Sequence, residues 1–170
     1  MKNMWFLMLS VVVVALLIGA FFFVNSAPTV HAVASTKLET LSMSENEWKE
    51  RLTAEQFKVL RQEGTERAGS SALNKENRPG TFVCAGCDLE LFRSQDKFES
   101  GTGWPSFYDV IKGHVETKRD FAMILPRTEY HCARCGGHQG HVFDDGPPPS
   151  HLRYCNNGVA LKFVPDKEKE

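Results

Sequence analysis

The sequence predicts a mainly β domain, an antiparallel sandwich or barrel-like arrangement with short helices confined to its N-terminal side. Three observations predict it. From Thr81 onward, helical periodicity gives way to eight short extended runs punctuated by Gly, Pro, Asn or Asp. Just before them stand two helix-start signatures, each leading only a short periodic stretch. And four of the five cysteines fall into two C-x-x-C pairs, the spacing of a metal clip that lets a small β domain hold together.

Taken in order, the 170-residue chain opens with Met4 to Val24, an apolar run interrupted only by Ser10 and Gly19 and preceded by Lys2. A bilayer span takes ~20 residues, so the run reads as an uncleaved transmembrane anchor. A cleaved signal peptide is the alternative, because Ala32-Val33-Ala34 before Ser35 offers a small-residue cleavage site. Lys2 places the N-terminus on the cytoplasmic side, and the domain is then membrane-anchored or secreted, outside the cytoplasm, and periplasmic in a bacterium. Residues 1–27 form the anchor or signal segment and residues 28–43 an aperiodic linker.

Order begins at Ser44-Glu45-Asn46-Glu47, a capping box, and the signature repeats at Thr53-Ala54-Glu55-Gln56. Leu52, Phe57 and Leu60 then share one helical face, and Gly64 ends the helix. Gly69 to Gly80 is loop. The extended runs follow: Thr81–Cys84, Leu89–Phe92, His114–Lys118, Met123–Leu125, Glu129–Cys132, His141–Phe143, Leu152–Cys155 and Ala160–Val164. The domain covers residues 44–165, and residues 166–170 form a charged, solvated tail. A net charge of −1 with neither sign clustered leaves no footprint for nucleic acid.

Cys84/Cys87 and Cys132/Cys135 each place two thiols on a tight turn, and two such knuckles complete a tetrahedral four-cysteine site. Zinc is the expected ion, with iron in the same geometry an alternative. Four protein ligands leave no open position, so the ion is structural. Two vicinal disulfides or redox pairs are the competing reading outside the cytoplasm.

The fifth cysteine, Cys155, lies in Arg153-Tyr154-Cys155-Asn156-Asn157 and has no partner at ligand spacing, which makes it a nucleophile candidate. On an extended segment Arg153 and Asn157 share its face, and the cation could lower its pKa. If that pKa fell to about 7, thiolate would rise ~15-fold while nucleophilicity fell ~5-fold, a net gain of only about threefold. A proton donor for the other reactant is worth more, ~10² to 10⁴-fold. His138 and His141 are the candidates, with Asp145 placed to orient one of them; His31, His114, His131 and His151 read as ordinary surface or core residues. Gly101-Thr102-Gly103-Trp104-Pro105-Ser106-Phe107-Tyr108 reads either as a packed corner or as the apolar wall of a pocket for a methyl or thioether group. A non-catalytic peptide-binding module and a metal-thiol redox sensor are the competing functional classes.

The same residues carry a family resemblance. Leu52-Thr53-Ala54-Glu55-Gln56-Phe57, Gly64-Thr65-Glu66-Arg67, Arg78-Pro79-Gly80-Thr81-Phe82-Val83-Cys84-Ala85-Gly86-Cys87, Ser100-Gly101-Thr102-Gly103-Trp104-Pro105-Ser106-Phe107, Gly140-His141-Val142-Phe143-Asp144-Asp145-Gly146-Pro147 and Arg153-Tyr154-Cys155-Asn156-Asn157 resemble, in order, the peptide-methionine (R)-S-oxide reductases of the MsrB type, over about Trp48 to Val164. The resemblance implies two antiparallel sheets of the β-tent, Mss4-like kind with a zinc ion held by four cysteines. It implies reduction of the R epimer of methionine sulfoxide in oxidised proteins or peptides. Cys155 would attack the sulfoxide sulfur, His138 and His141 would bond or protonate its oxygen, Arg153 and Asn157 would position the nucleophile, and Trp104, with Phe107 and Asp145, would form the substrate contacts. Many members carry a resolving cysteine where this chain has Thr102, so regeneration by an external small thiol or thioredoxin-like protein is expected. Gln139, where Leu is common, is a smaller departure.

Overall fold

A computed structural model describes residues 38–121 and 125–167. Two short helices come first, α1 (Glu45–Arg51) and α2 (Ala54–Gln62). Both begin at the expected capping boxes: Glu47 N–H donates to Ser44 Oγ while the Glu47 carboxylate accepts from Ser44 N–H, and Gln56 and Thr53 repeat the exchange. Phe57, Val59 and Leu60 on α2, and Trp48 on α1, are the buried faces. The left-handed turn that stops α2 falls on Glu63 (φ 55°), one residue before Gly64. Leu38, Leu41 and Met43 already pack against the core ahead of α1.

Nine strands follow among the described residues: β1 (Gly80–Cys84), β2 (Glu90–Arg93), β3 (Lys97–Phe98), β4 (Ser106–Phe107), β5 (Val115–Asp120), β6 (Arg127–Cys132), β7 (His138–Phe143), β8 (Arg153–Asn156) and β9 (Leu161–Pro165). They form two antiparallel sheets, β2-β1-β9 and β3-β4-β8-β7-β6-β5. The mainly β, two-sheet expectation is met. Two-residue β3 and β4 carry too little pattern to be read from sequence, yet β4 is the strand beside β8. Of the expected run Met123–Leu125, residues 123 and 124 lie outside the described residues.

The core is aromatic. Phe92 and Phe107 stack at 4.1 Å, Phe82 meets Phe107 edge-on at 4.9 Å, and Tyr130 closes the cluster against Phe92 and Tyr154. Each knuckle hangs from a strand end: Cys84 closes β1 and Cys132 closes β6, and in both turns the residue after the second cysteine is left-handed, Asp88 (φ 60°) and Gly136 (φ 66°). Its N–H donates back to the first cysteine's carbonyl, at 2.9 and 2.8 Å. Arg51 and Arg61 from the helices donate to the knuckle carbonyls of Gly86 and Cys135, which seats α1 and α2 over this end.

One expectation is corrected. Among the described residues no helix is long and apolar enough to cross a membrane. The run Met4–Val24 lies outside those residues, and hydropathy over ~20 positions permits a span without supplying one. No described helix supports the expected transmembrane anchor or membrane tethering.

Candidate active site and metal site

The larger sheet lines up a single row of side chains. Ser106 on β4 pairs with Cys155 on β8, Cys155 with His141 on β7, His141 with Glu129 on β6, and Glu129 with Lys118 on β5. Directly opposed residues project from the same face of a sheet, so all five do. Their chain neighbours face the other way: Phe107, one residue past Ser106, is fully buried against Phe92 and Phe82. Phe107 is thus core rather than a pocket wall, because a strand alternates its faces and β4 gives this face to Ser106.

A cleft of about 130 Å³ opens beside Cys155, lined by Thr65, Trp104, Arg127, His141, Phe143 and Asn157 among others. Trp104 is held from behind, its indole N–H donating to the Glu66 carbonyl at 3.2 Å. Glu66 does more. Its N–H donates to Asn157 Oδ1 at 3.0 Å, and its buried carboxylate accepts from the N–H groups of Gly158 and Val159 at 2.5 and 3.0 Å. Burial pushes this carboxyl's pKa up, against the pull of the two backbone donors. One residue thereby fixes both the indole and the Asn157 amide.

His141 Nε2 lies 2.8 Å from Asp120 Oδ2, and the same oxygen accepts from Arg127 Nη2 at 2.6 Å. With Nε2 donating to this carboxylate, the remaining ring nitrogen, Nδ1, is free of that contact. Burial lowers the imidazole pKa from its ordinary value, an effect that the Asp120 bond partly offsets. His138 is buried outside the cleft lining, with Nδ1 2.9 Å from Glu129 Oε1. Asp145 orients neither histidine: it grips Arg153 through both oxygens at 2.8 and 2.9 Å, and the guanidinium lies over Phe143 at 4.4 Å. That pair holds the Asp145 carboxyl below its usual range.

Burial pushes the Cys155 thiol up, and Arg153 together with a hydrogen bond to Thr102 offsets this only in part. The expected lowering by Arg153 is therefore outweighed, since half-burial costs the thiolate more than one nearby cation returns. Thr102 in turn bonds Ser100 (2.8 Å), Ser100 bonds Ser106 (2.8 Å), and Ser106 donates to the Trp104 carbonyl (3.2 Å).

Sequence reasoning missed Asp120, Arg127, Glu129, Glu66, Thr65 and the serine pair. Glu66 and Thr65 stood within a quoted motif, as did both serines, but without a role; Asp120, Arg127 and Glu129 stood in none, and strand pairing alone brings them to Cys155.

At the other end Cys84, Cys87, Cys132 and Cys135 are buried, with all four sulfurs within 4.8 Å of one another. Cys84 and Cys135 sulfurs are 3.7 Å apart and Cys87 and Cys132 sulfurs 3.5 Å. Tetrahedral coordination at about 2.3 Å per bond needs sulfurs about 3.8 Å apart, whereas a disulfide needs about 2.05 Å. The four thiols fit a metal ion, all five cysteines are free, and the disulfide reading falls.

A small two-sheet β domain with a four-thiol metal clip at one end and a lone thiol opposite a histidine in an aromatic-walled cleft defines a thiol-dependent enzyme class. The SelR domain matches residues 52–165. The chain is 52% identical over 124 residues to the peptide methionine sulfoxide reductase MsrB of Leptospira interrogans, covering 72% of this chain and 95% of that one. It is 52% identical over 131 residues to the MsrB of Methanosarcina barkeri (76% and 92%), and 50% over 143 residues to that of Methanosarcina mazei (81% and 100%). The chain belongs to the SelR-domain family of MsrB-type peptide methionine sulfoxide reductases. It is an enzyme of that kind, a peptide-methionine (R)-S-oxide reductase that repairs oxidised methionine.

Proposed function

We propose that the reductase runs a one-thiol cycle on Cys155. The observation that carries this reading is the register of β7 on β8, which sets His141 opposite Cys155 at the cleft. Neutral His141 takes the thiol proton on Nδ1, becoming an imidazolium stabilised by Asp120. The thiolate attacks the sulfoxide sulfur, and the imidazolium returns the proton to the sulfoxide oxygen. The oxygen ends on Cys155 as a sulfenic acid; the methionine sulfur gains two electrons, Cys155 loses two, and methionine leaves. Asn157 and the Asp145-held Arg153 position the nucleophile, and His138 buttresses the row through Glu129. Trp104 receives the substrate methyl group, so that exchanging methyl and oxygen sets a polar atom on the indole and disfavours the S epimer.

Of the five cysteines, four belong to the metal cluster, and Thr102 stands where a resolving thiol would be. Regeneration is then intermolecular. A small thiol or thioredoxin-like protein attacks the sulfenic acid, releasing water and forming a mixed disulfide, and a second thiol frees Cys155. Zinc bound by Cys84, Cys87, Cys132 and Cys135 serves as a structural cross-link.

Single turnover of the reduced, metal-loaded chain tests this. With each epimer of a methionine-sulfoxide peptide and no reductant, one methionine per enzyme is expected from the R epimer alone, with Cys155 trapped by a dimedone-type probe. Methionine formed with loss of two thiols would replace the one-thiol cycle by an internal disulfide. Turnover retained by Cys155→Ser would remove Cys155 from the chemistry.

A further inference from the structure

Gln139 sits between the two histidines on β7 and is completely buried, and nothing in the reaction uses it. Its main chain faces the active site: the carbonyl accepts the backbone N–H of Asn157 at 2.8 Å and the Asn157 side-chain amide at 3.0 Å. Its side chain faces the metal site. Nε2 lies 3.4 Å from Cys84 Sγ and 3.4 Å from the Gly137 carbonyl, while Oε1 has no partner.

The neighbours dictate which way the amide points. A metal-bound thiolate and a carbonyl are both acceptors, so only the NH2 group can face them; the reverse orientation would set Oε1 against both. A buried acceptor left without a donor keeps its full desolvation cost, which an aliphatic side chain of similar size would not carry. A four-thiolate site around a divalent ion is a net dianion, and burying that charge calls for donors aimed at the sulfurs. An amide kept here despite its orphaned oxygen supplies one.

We propose that Gln139 is a positioning residue of the metal site, donating a hydrogen bond from its side-chain amide to the Cys84 thiolate and so slowing metal loss. The two donors from Asn157 hold its peptide unit, which sets the amide's aim. The proposal rests on reading the four cysteines as a metal site.

The test is zinc transfer from the full, zinc-loaded chain to a chelating dye, comparing wild type with Gln139→Leu and Gln139→Glu. Gln139→Leu is expected to release zinc about tenfold faster, in line with the loss of other outer-shell partners. Gln139→Glu, which turns a carboxylate on the same two acceptors, should release it faster still. Metal-free Gln139→Leu, relieved of the orphaned oxygen, should melt no lower than metal-free wild type. Release at the wild-type rate from Gln139→Leu overturns the proposal, as does an equal drop in melting temperature of both its metal-free and metal-bound forms, which marks simple packing. Wild type that retains no metal by elemental analysis sinks the metal reading itself, and is distinguishable from either outcome.

Discussion

Cys155 is pulled in opposite directions by burial and by its donors, and burial wins. Its reactivity should therefore climb about tenfold per pH unit between pH 7 and 8.5, without levelling off at neutrality, when measured by alkylation of the metal-loaded protein. The hydroxyls of Thr102, Ser100 and Ser106 explain how the thiolate is accommodated once formed. Ser106 gives its proton to the Trp104 carbonyl, so Ser100 must donate to Ser106 and Thr102 to Ser100, leaving Thr102 to accept from the Cys155 thiol. When the thiol ionises, the chain reverses and Thr102 donates to sulfur, at the expense of the longest bond, the 3.2 Å contact to Trp104. Thr102→Val keeps the shape and removes that donor. Alkylation at pH 8 should slow by about threefold to tenfold, the scale of one charged hydrogen bond at a half-exposed site. An unchanged rate would mean that Thr102 only fills space. Little of this could be read from sequence: Thr102 stood out as a missing cysteine, whereas its bonded serines carried no signal, because hydroxyls are common in loops and acquire roles only through contact.

At the scale of elements, the site is made by register. β4, β8, β7, β6 and β5 bring residues from positions 106, 155, 141, 129 and 118 into one row. Gly140 keeps β7 close enough to β8 for this: a Cβ there would stand 1.9 Å from the Cys155 carbonyl oxygen, a backbone atom that cannot move aside alone. Gly140→Ala should lower stability by several kcal/mol, in the range of severe backbone or overpacking effects. In whatever fraction folds, turnover should fall more than about tenfold, since the strand bearing the nucleophile must shift. Denaturant unfolding and active-site titration together check both halves; full stability with full activity would show that the ladder yields more easily than the geometry states. The helices were legible to the residue at their starts, because a capping box is a local pattern of four residues. β4 was not, and with it went the neighbour of Cys155 and the true role of Phe107.

Across the described domain, the four thiols join β1 to β6, one strand from each sheet, with α1 and α2 braced on the knuckle carbonyls by Arg51 and Arg61. Stripping the metal should lower the melting temperature by roughly 15 °C or more, since each kcal/mol moves a domain of this size by about 4 °C and a lost structural ion costs several. The Cys155 end should loosen with it, because Gln139 touches both sites. Chelation that leaves the melting curve in place would show that the aromatic core holds the two sheets together unaided. The sequence by itself determined the four-thiol cluster, the candidate nucleophile, the helix starts and the mainly β class, for each is written in spacing, periodicity or an unmatched residue. Only the tertiary structure decided that Asp120 orients His141, that Asp145 serves Arg153, that Phe107 belongs to the core and that burial outweighs Arg153 at the thiol. Those outcomes depend on which strand lies beside which and at what register, and on how much water each group loses, quantities that exist only once distant segments have packed.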